Sequence, residues 1–238
     1  MTKDSSPMVE AKPLIEIPKD IPHIGFFGGE AGKEINEAIR KDYKDIKALQ
    51  IGNYSGNLIK GSSPFYAVAV QSRLPPGMNV ATQADLETAM KIGSMDFRNT
   101  YEDTGLVLRT EGDPNGYLAN NLMKQVKERG KKKMPVTIPL RSLSLERDSS
   151  SPHGLAFKLR DDAEIIYAPI LNQGNGNFTS EDIDKKTGLP KKLGEGNRTL
   201  YTRNSGLSGL YLNRGLNFYS NYDGLANSYD NGRVVVLK

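Results

Sequence analysis

Ten residues near the C-terminus alternate strictly between two kinds of side chain. The first set is mostly aliphatic and consists of Leu210, Leu212, Arg214, Leu216 and Phe218. The second set is tyrosine, asparagine or glycine and consists of Tyr211, Asn213, Gly215, Asn217 and Tyr219. A period of two places alternate side chains on opposite faces of an extended chain. The pattern therefore predicts an ordered strand-like segment with a buried aliphatic row and an exposed row rich in tyrosine.

The alternation ends at Tyr219, but the segment continues to alternate between surface and core on a longer scale. Residues 220–224 are predicted to form an exposed turn, 227–231 to return to the surface, and 232–236 to close as a core strand. The outward positions are predicted to be ligand contacts: Tyr211, Asn213, Gly215, Asn217, Tyr219, Asn221, Tyr222, Asp223, Asn227, Tyr229, Asp230 and Asn231. The remaining positions are predicted to be fixed scaffold: Leu210, Leu212, Arg214, Leu216, Leu225, Ala226 and Ser228.

The composition of this segment is typical of a binding surface. Asn, Tyr, Ser, Asp and Gly fill 21 of the 29 positions from 204 to 232. Tyrosine offers a large, stiff contact at low entropic cost, while the small polar residues supply adaptable hydrogen bonds, as in antibody paratopes. A disordered low-complexity tail has a similar composition. The interleaved leucines and the Val234-Val235-Val236 run favour the ordered surface over that tail.

Several residue types are missing from the same region. Positions 196–237 contain no Lys, Glu, Gln, Met or Trp. Randomising the adenines of an AAC or AAT codon yields Asn, Tyr, Ser, Gly, Asp and several others, but never those five. The depletion is therefore consistent with adenine-directed rewriting of the coding sequence.

On these residues the chain resembles the variable proteins of diversity-generating retroelements, whose C-terminal region is rewritten in that way. The similarity includes the stretch from Gly206 to Val236 and the helix-like stretch from Val80 to Glu87, and it covers residues 61–238. It implies a C-type lectin-like fold in its formylglycine-generating-enzyme-like variant, with a variable region at about 204–233. Many relatives end that region in a Gly-Phe-Arg-Val strand, where this chain has Gly232-Arg233-Val234-Val235.

The rest of the chain predicts an α+β class. Four prolines among charges in residues 1–22 predict an extended arm, and apolar spacing predicts an amphipathic helix from Glu30 to Gln50. Residues 1–60 thus form an arm plus helix, and residues 61–238 a lectin-like domain. Within that domain we predict a buried strand at 65–70, and helices starting at Thr82 and Tyr117. Thr82 and Asp85 have the spacing of a capping box, with aspartate in place of glutamate. Short strands are predicted at 135–140, 154–159 and 165–170.

Other functions lack their motifs. Without cysteine, disulfides and thiolate chemistry are impossible, and so is the oxidation that formylglycine-generating enzymes perform. The residues from Gly28 to Glu34 have one residue too few for a phosphate-binding loop. A net charge of +4, spread along the chain, gives no basic stripe for nucleic acid. No signal peptide and no membrane span are predicted. We therefore predict no enzymatic activity, cofactor or metal, although lectins of this type often use calcium.

The predicted partner is a protein or glycan on a cell or viral surface, and the N-terminal helix is a candidate for forming a homo-oligomer. Three alternatives stay open at this stage. They are a structural or adhesive virion protein that assembles through its tyrosine-rich end, a carbohydrate-binding lectin without diversification, and a carbohydrate-active enzyme. The last needs a converging carboxylate pair, which the sequence does not identify.

Overall fold

The computed structural model describes residues 23–238, and the predicted arm at 1–22 lies outside the described residues. Within the described part the chain is α+β, as predicted. Its four α-helices are α1 (Gly29–Asp42), α2 (Pro64–Gln71), α3 (Gln83–Lys91) and α4 (Gly116–Glu128). None of these helices is long and apolar enough to cross a membrane.

The prediction of a buried strand at residues 65–70 is wrong, because this stretch is the core of α2. The Ser63 hydroxyl accepts a hydrogen bond of 3.2 Å from the Tyr66 amide, and Pro64 occupies the first helical turn. Both are start signals of a helix. All eight residues of α2 are buried. A helix buried on every side has no polar face, so its sequence cannot be told from a buried strand by periodicity.

The other helices are confirmed with small changes. In α3 the Thr82 hydroxyl accepts a hydrogen bond from the Asp85 amide, and the Asp85 carboxylate accepts one from the Thr82 amide. This is the capping box that the sequence predicts, with aspartate in place of glutamate. The N-terminal helix α1 ends at Asp42 instead of Gln50, and turns follow it.

Fourteen short strands accompany the helices in the described residues. They are β1 (Ile24–Phe26), β2 (Asn53–Ser55), β3 (Leu58–Lys60), β4 (Asn79–Val80), β5 (Glu102–Leu108), β6 (Val136–Pro139), β7 (Leu143–Arg147), β8 (Leu155–Leu159), β9 (Ile166–Tyr167), β10 (Gly176–Phe178), β11 (Arg198–Tyr201), β12 (Leu207–Leu212), β13 (Phe218–Tyr219) and β14 (Val235–Leu237). The predicted strands appear as β6, β8 and β9, and the closing strand as β14. The last part of the predicted strand at 165–170 is instead the start of a 3-10 turn.

The largest sheet has seven strands in the order β10-β11-β13-β12-β5-β6-β9. Its pairs are antiparallel except β11 with β13, which run parallel. A second sheet, β1-β14-β4, joins the two ends of the described chain. The tyrosine-rich segment (residues 204–232) therefore supplies β12 and β13 of the main sheet, and β14, the middle strand of the second sheet, follows it directly.

Both faces of the main sheet are buried at its centre. In β5, Leu106 and Leu108 belong to one apolar cluster and Val107 to another, as the period of a strand requires. The first cluster includes α2 and α4, and the second includes α3 and residues of β11 and β13. Because apolar clusters pack against both faces of β5, the position of β5 is restricted. The position of β12, which pairs with β5, is therefore restricted as well.

Residues 24–60 share this core. Phe27, Ile39 and Ile59 are buried in the same apolar cluster as α2, and β1 pairs with β14. The predicted boundary at residue 60 therefore does not coincide with a gap in the packing. The buried face of α1 lies against this domain.

A buried arginine connects β5 to the tyrosine-rich segment. The Arg109 guanidinium donates hydrogen bonds to the Ser208 hydroxyl at 2.9 Å, the Ser220 carbonyl at 3.0 Å, the Thr202 hydroxyl at 2.8 Å and the Leu171 carbonyl at 3.3 Å. Burial lowers the pKa of Arg109 to about 9, so the group stays charged at neutral pH. Planar multiple donation of this kind is specific to arginine.

We expect Arg109→Lys to lower the free energy of unfolding by about 3 kcal/mol, because an ammonium cannot reach all of these acceptors and buried acceptors lose their partners. Urea denaturation at pH 7 measures the change. The matched control is Arg98→Lys, at an exposed ion pair with Asp96, which should change stability by less than about 0.5 kcal/mol. Equal effects of the two substitutions would show that the Arg109 contacts do not stabilise the fold.

Candidate functional site

In both strands of the hairpin β12–β13, buried apolar residues alternate with tyrosines, as the sequence predicts. Tyr211 pairs with Tyr219, and Leu212 pairs with Phe218. Leu210, Leu212 and Phe218 are buried, whereas the two tyrosines are half-buried. The paired register places both tyrosines on one face of the sheet.

The alternation does not continue through the turn at residues 213–217, and the prediction that Arg214 is inward scaffold is wrong. Arg214 is exposed at the tip of the turn. The Asn213 side-chain oxygen accepts hydrogen bonds from the Gly215 and Asn217 amides at 2.9 and 3.0 Å. Asparagine that binds the backbone ahead of it favours a turn over a strand. This interaction ends the extended conformation, so Arg214 cannot point inward.

None of the twelve predicted contact residues is buried. Six are half-buried: Tyr211, Asn213, Asn217, Tyr219, Asn221 and Tyr222. Six are exposed: Gly215, Asp223, Asn227, Tyr229, Asp230 and Asn231. Of the predicted scaffold residues other than Arg214, four are buried (Leu210, Leu212, Leu225 and Ala226), and two are half-buried (Leu216 and Ser228). Asn213 and Asn217 also hold the local backbone, since the Asn217 side chain accepts from the Thr199 amide at 2.8 Å.

The tyrosines of neighbouring strands form a continuous row. Tyr219 stacks on Tyr201 of β11 with ring centroids 4.5 Å apart, and on Tyr211 of β12 at 5.1 Å. Tyr211 in turn meets Tyr222 and Tyr101 edge to face, at 6.3 and 5.9 Å. We call these residues, together with Tyr229, the tyrosine row. Such contacts fix each ring in place, because aromatic pairs stabilise by about 0.5–1.5 kcal/mol beyond their buried area.

One end of the tyrosine row lines a partly open cavity of about 140 Å³. Its walls are Tyr101, Tyr211, Tyr222 and Tyr229, with Asn227 beside them. Hydrogen bonds hold the rim, because the Tyr222 and Tyr229 hydroxyls lie 3.1 Å apart and the Asn227 amide donates to Tyr222 at 2.8 Å. Four of the twelve predicted contact residues thus meet around one cavity. The other eight do not line it.

The rest of the cavity lining consists of two glycines, two apolar residues and one acid. Gly209, Gly224, Pro64 and Leu225 line it together with Asp103. A Cβ atom at Gly209 would lie 3.9 Å from Asp103 Oδ1, so the absent side chain leaves that carboxyl oxygen uncovered on this side. The acid is only 8% exposed.

A register shift in β5 directs Asp103 toward the cavity. Leu210 pairs with Gly105 while Tyr211 pairs with Asp103, so Thr104 is one extra residue in β5. Its hydroxyl lies 3.1 Å from the Leu210 carbonyl and 3.1 Å from the Gln83 side-chain oxygen. Such a bulge changes the face that the next side chain occupies and is frequent beside functional sites. Asp103 therefore shares a face with Tyr211 instead of pointing to the opposite side.

The Asp103 carboxyl is held from one side. The Ser62 hydroxyl donates to its Oδ2 at 2.6 Å, and within residues 23–238 no second hydrogen-bond donor contacts the carboxyl. Burial raises the pKa of Asp103 to about 7. Burial also raises the pKa values of Tyr101 and Tyr211, so both phenols are neutral in this range. The carboxyl is therefore the group at the cavity that changes charge near neutral pH.

Sequence reasoning missed Tyr101, Asp103 and Tyr201. All three lie outside the tyrosine-rich segment. The strand β5 was not predicted because Glu102-Asp103-Thr104-Gly105 is a polar, turn-like start. The pairing of β5 with β12 brings Asp103 to the site, and a parallel bridge to Gly232 brings Tyr101 there. Such pairing partners cannot be read from one sequence.

No family model, no curated protein and no solved structure matches this chain. Among the described residues, no group of three or more histidines and acids is arranged to hold a metal ion. The site must therefore be interpreted from its own geometry.

Glu102, next to Asp103, should make stability depend on pH. It is 1% exposed, and neither of its carboxyl oxygens has a hydrogen-bond partner among the described residues. Burial raises its pKa from 4.5 to about 8. The folded protein holds this proton more tightly than the unfolded chain, so stability should fall as pH rises from about 4.5 to about 8.

We expect Glu102→Gln to raise the free energy of unfolding by about 1 kcal/mol or more at pH 8, and by less at pH 5, because the amide has no charge to bury. Urea midpoints at the two pH values measure the difference. Glu146→Gln, at an exposed ion pair with Lys158, is the control and should show no such pH dependence. A pH-independent effect of Glu102→Gln would contradict the raised pKa.

Proposed function

We propose that this chain is a ligand-recognition protein without catalytic activity, and that it is a variable protein of a diversity-generating retroelement with a C-type lectin-like scaffold. Its ligand is a protein or a glycan on a cell or viral surface. The tyrosine row and the rim of its cavity form the binding surface. The lectin-like fold and the diversification rest on the sequence resemblance given above.

One observation carries the proposal. The tyrosine- and asparagine-rich segment is ordered, and all of its aliphatic residues except the half-buried Leu216 are buried, while its twelve proposed contact residues reach solvent. A tail that merely keeps the chain soluble needs no such separation. Aromatic side chains surrounded by small polar ones are typical of surfaces that bind through a few anchors.

The separation also explains how such a surface could vary. Tyr229 is 57% exposed. The Tyr222 hydroxyl is hydrogen-bonded to Tyr229 and to Asn227 at the rim, outside the apolar core. Replacing them changes the binding surface without leaving an apolar cavity. Leu212, by contrast, is wholly buried in the apolar cluster to which α3 also contributes, and truncation there leaves a cavity.

A structural role in assembly is the second candidate. The exposed Tyr229 and the stacked rings could pair with those of another copy. Sedimentation at increasing protein concentration separates the two roles, because an assembling surface makes the sedimentation coefficient rise with concentration. A recognition surface leaves it constant.

We expect Tyr222→Ser combined with Tyr229→Ser to lower the free energy of unfolding by about 1–2 kcal/mol, because these side chains lie at the rim and each loses one edge-to-face ring contact. Leu212→Ala is the matched control within the same segment and should cost about 2–5 kcal/mol. Thermal unfolding followed by circular dichroism gives both values. A loss in the double variant as large as that of Leu212→Ala would mean that the rim is part of the core.

The flanking DNA tests diversification directly. We expect a near-copy of the sequence that codes for residues 204–233, differing from it only at adenines and lying beside a reverse-transcriptase gene. A near-copy with substitutions at all four bases would contradict adenine-directed rewriting. Absence of any copy would leave a fixed binding protein.

A further inference from the structure

The cavity at the end of the tyrosine row is lined by one charged side chain and four aromatic rings, and this combination selects a class of ligand. Asp103 is the charged group, and no lysine, arginine or histidine lines the cavity. We propose that the cavity binds an alkylammonium group, the end of a lysine side chain with or without N-methyl groups, presented by a protein ligand. This inference rests on the proposed function and specifies what the surface recognises.

The arrangement of the rings supports a cation. Tyr101 meets Tyr211 at an interplanar angle of 70° and Tyr229 at 69°, and Tyr211 meets Tyr222 at 81°. Rings at such angles form the walls of a cup instead of a flat stack. Their neighbouring centroids are 5.9–6.4 Å apart. A group seated in the cup therefore lies within about 6 Å of more than one ring, the range in which a cation is attracted to the ring face.

The carboxyl at the inner end supplies the opposite charge. Asp103 Oδ2 is engaged by Ser62, and Oδ1 lies on the Gly209 side of the cavity. A buried acid with one hydrogen bond is costly to ionise without a counter-charge. An ammonium in the cavity would provide that counter-charge.

Size separates this ligand from the alternatives. A cavity of about 140 Å³ is close to the ~150 Å³ of an engineered cavity that admits benzene, whereas pockets for drug-sized molecules start near ~300 Å³. The end of one side chain fits, and a whole sugar ring with its hydroxyls does not fit as well. An anion is disfavoured because ring faces and the carboxyl all repel negative charge.

The test uses small probes with neutral partners of similar shape. Protein with isotopically labelled tyrosine rings is titrated with n-butylammonium, tetramethylammonium, n-butanol and tert-butanol, and ring resonances are followed by NMR at pH 8. We expect at least one of the two cations to saturate with a Kd of about 1–10 mM. Each alcohol should bind at least tenfold more weakly. Equal binding of a cation and its alcohol, or no saturation by either cation, would overturn the proposal.

Variants locate the site. Asp103→Asn keeps the size of the side chain and should weaken cation binding at least tenfold. Gly209→Ala adds a methyl group 3.5–4.0 Å from its neighbours, an ordinary contact that the fold accepts. This substitution should weaken the binding of tetramethylammonium more than the binding of butylammonium. Tyr167→Ala, an exposed tyrosine on β9, is the control and should leave both constants unchanged. If Asp103→Asn does not fold, Gly209→Ala still tests the proposal. Unchanged affinity of this variant for both cations would show that they do not bind in the cavity.

Binding should also depend on pH. The titratable groups that surround Asp103 are Tyr101, Tyr211, Tyr222 and Tyr229 at the walls and Glu102 beside it in the chain. Affinity should rise between pH 5.5 and 8, as the carboxyl, with a pKa of about 7 in the empty cavity, becomes charged. This rise should persist in Glu102→Gln and disappear in Asp103→Asn. A rise that survives Asp103→Asn would contradict the assignment of the charge.

The outcomes distinguish this inference from the proposed function. Stable rim variants together with an adenine-specific near-copy in the DNA, but no preference for cations over alcohols, would leave a diversified binding surface of different specificity. A preference for cations over alcohols, together with a large loss of stability in the rim double variant, would indicate an ammonium site on a protein whose surface residues are not diversified.

Discussion

Arg109 holds the tyrosine row in register with the rest of the sheet. It extends from the end of β5 and donates to acceptors on three other stretches of chain, at Ser208, Ser220 and Leu171. Two of those residues lie inside the tyrosine-rich segment, Ser208 near the start of β12 and Ser220 directly after β13. A guanidinium that fixes both ends of a hairpin restricts how the hairpin can slide, and a slip of one residue would exchange its two faces. The position of every tyrosine on that face therefore depends on a side chain that never reaches the surface.

A second buried arginine, Arg198, stabilises the turn of the same hairpin. Arg198 makes two hydrogen bonds of 2.8 Å to Glu87 of α3, and its guanidinium lies 4.9 and 4.7 Å from the ring centroids of Phe178 and Phe218. It also donates to the Leu216 carbonyl in the hairpin turn. The turn is thus connected to a helix whose start is fixed by its own capping box. Rigid support beneath a polar surface reduces the entropy that a ligand must overcome on binding.

Much of this could be predicted from local sequence signals, and the failures have physical causes. The capping box at Thr82 and Asp85 identified α3, and the alternating residues around Leu210 and Leu212 identified the buried row. The helix α2 was mistaken for a strand because full burial removes the periodicity that separates the two. Arg214 was misplaced because the Asn213 side-chain oxygen accepts hydrogen bonds from two backbone amides that follow it, and these bonds end the strand within the alternating pattern. Asp103 could not be found at all, since its position depends on the extra residue Thr104 and on pairing with a strand about a hundred residues later.

The cavity has walls of two origins. Tyr211, Tyr222, Asn227 and Tyr229 belong to residues 204–233, for which we propose diversification, whereas Tyr101, Asp103 and Pro64 lie outside that stretch. A family of sister proteins made by rewriting residues 204–233 would differ in shape and hydrogen bonding, yet each would keep the same acid at the same depth. Such a repertoire would not sample ligand chemistry evenly. Its members would inherit a common bias toward basic targets, on which selection of the variable side chains would then act.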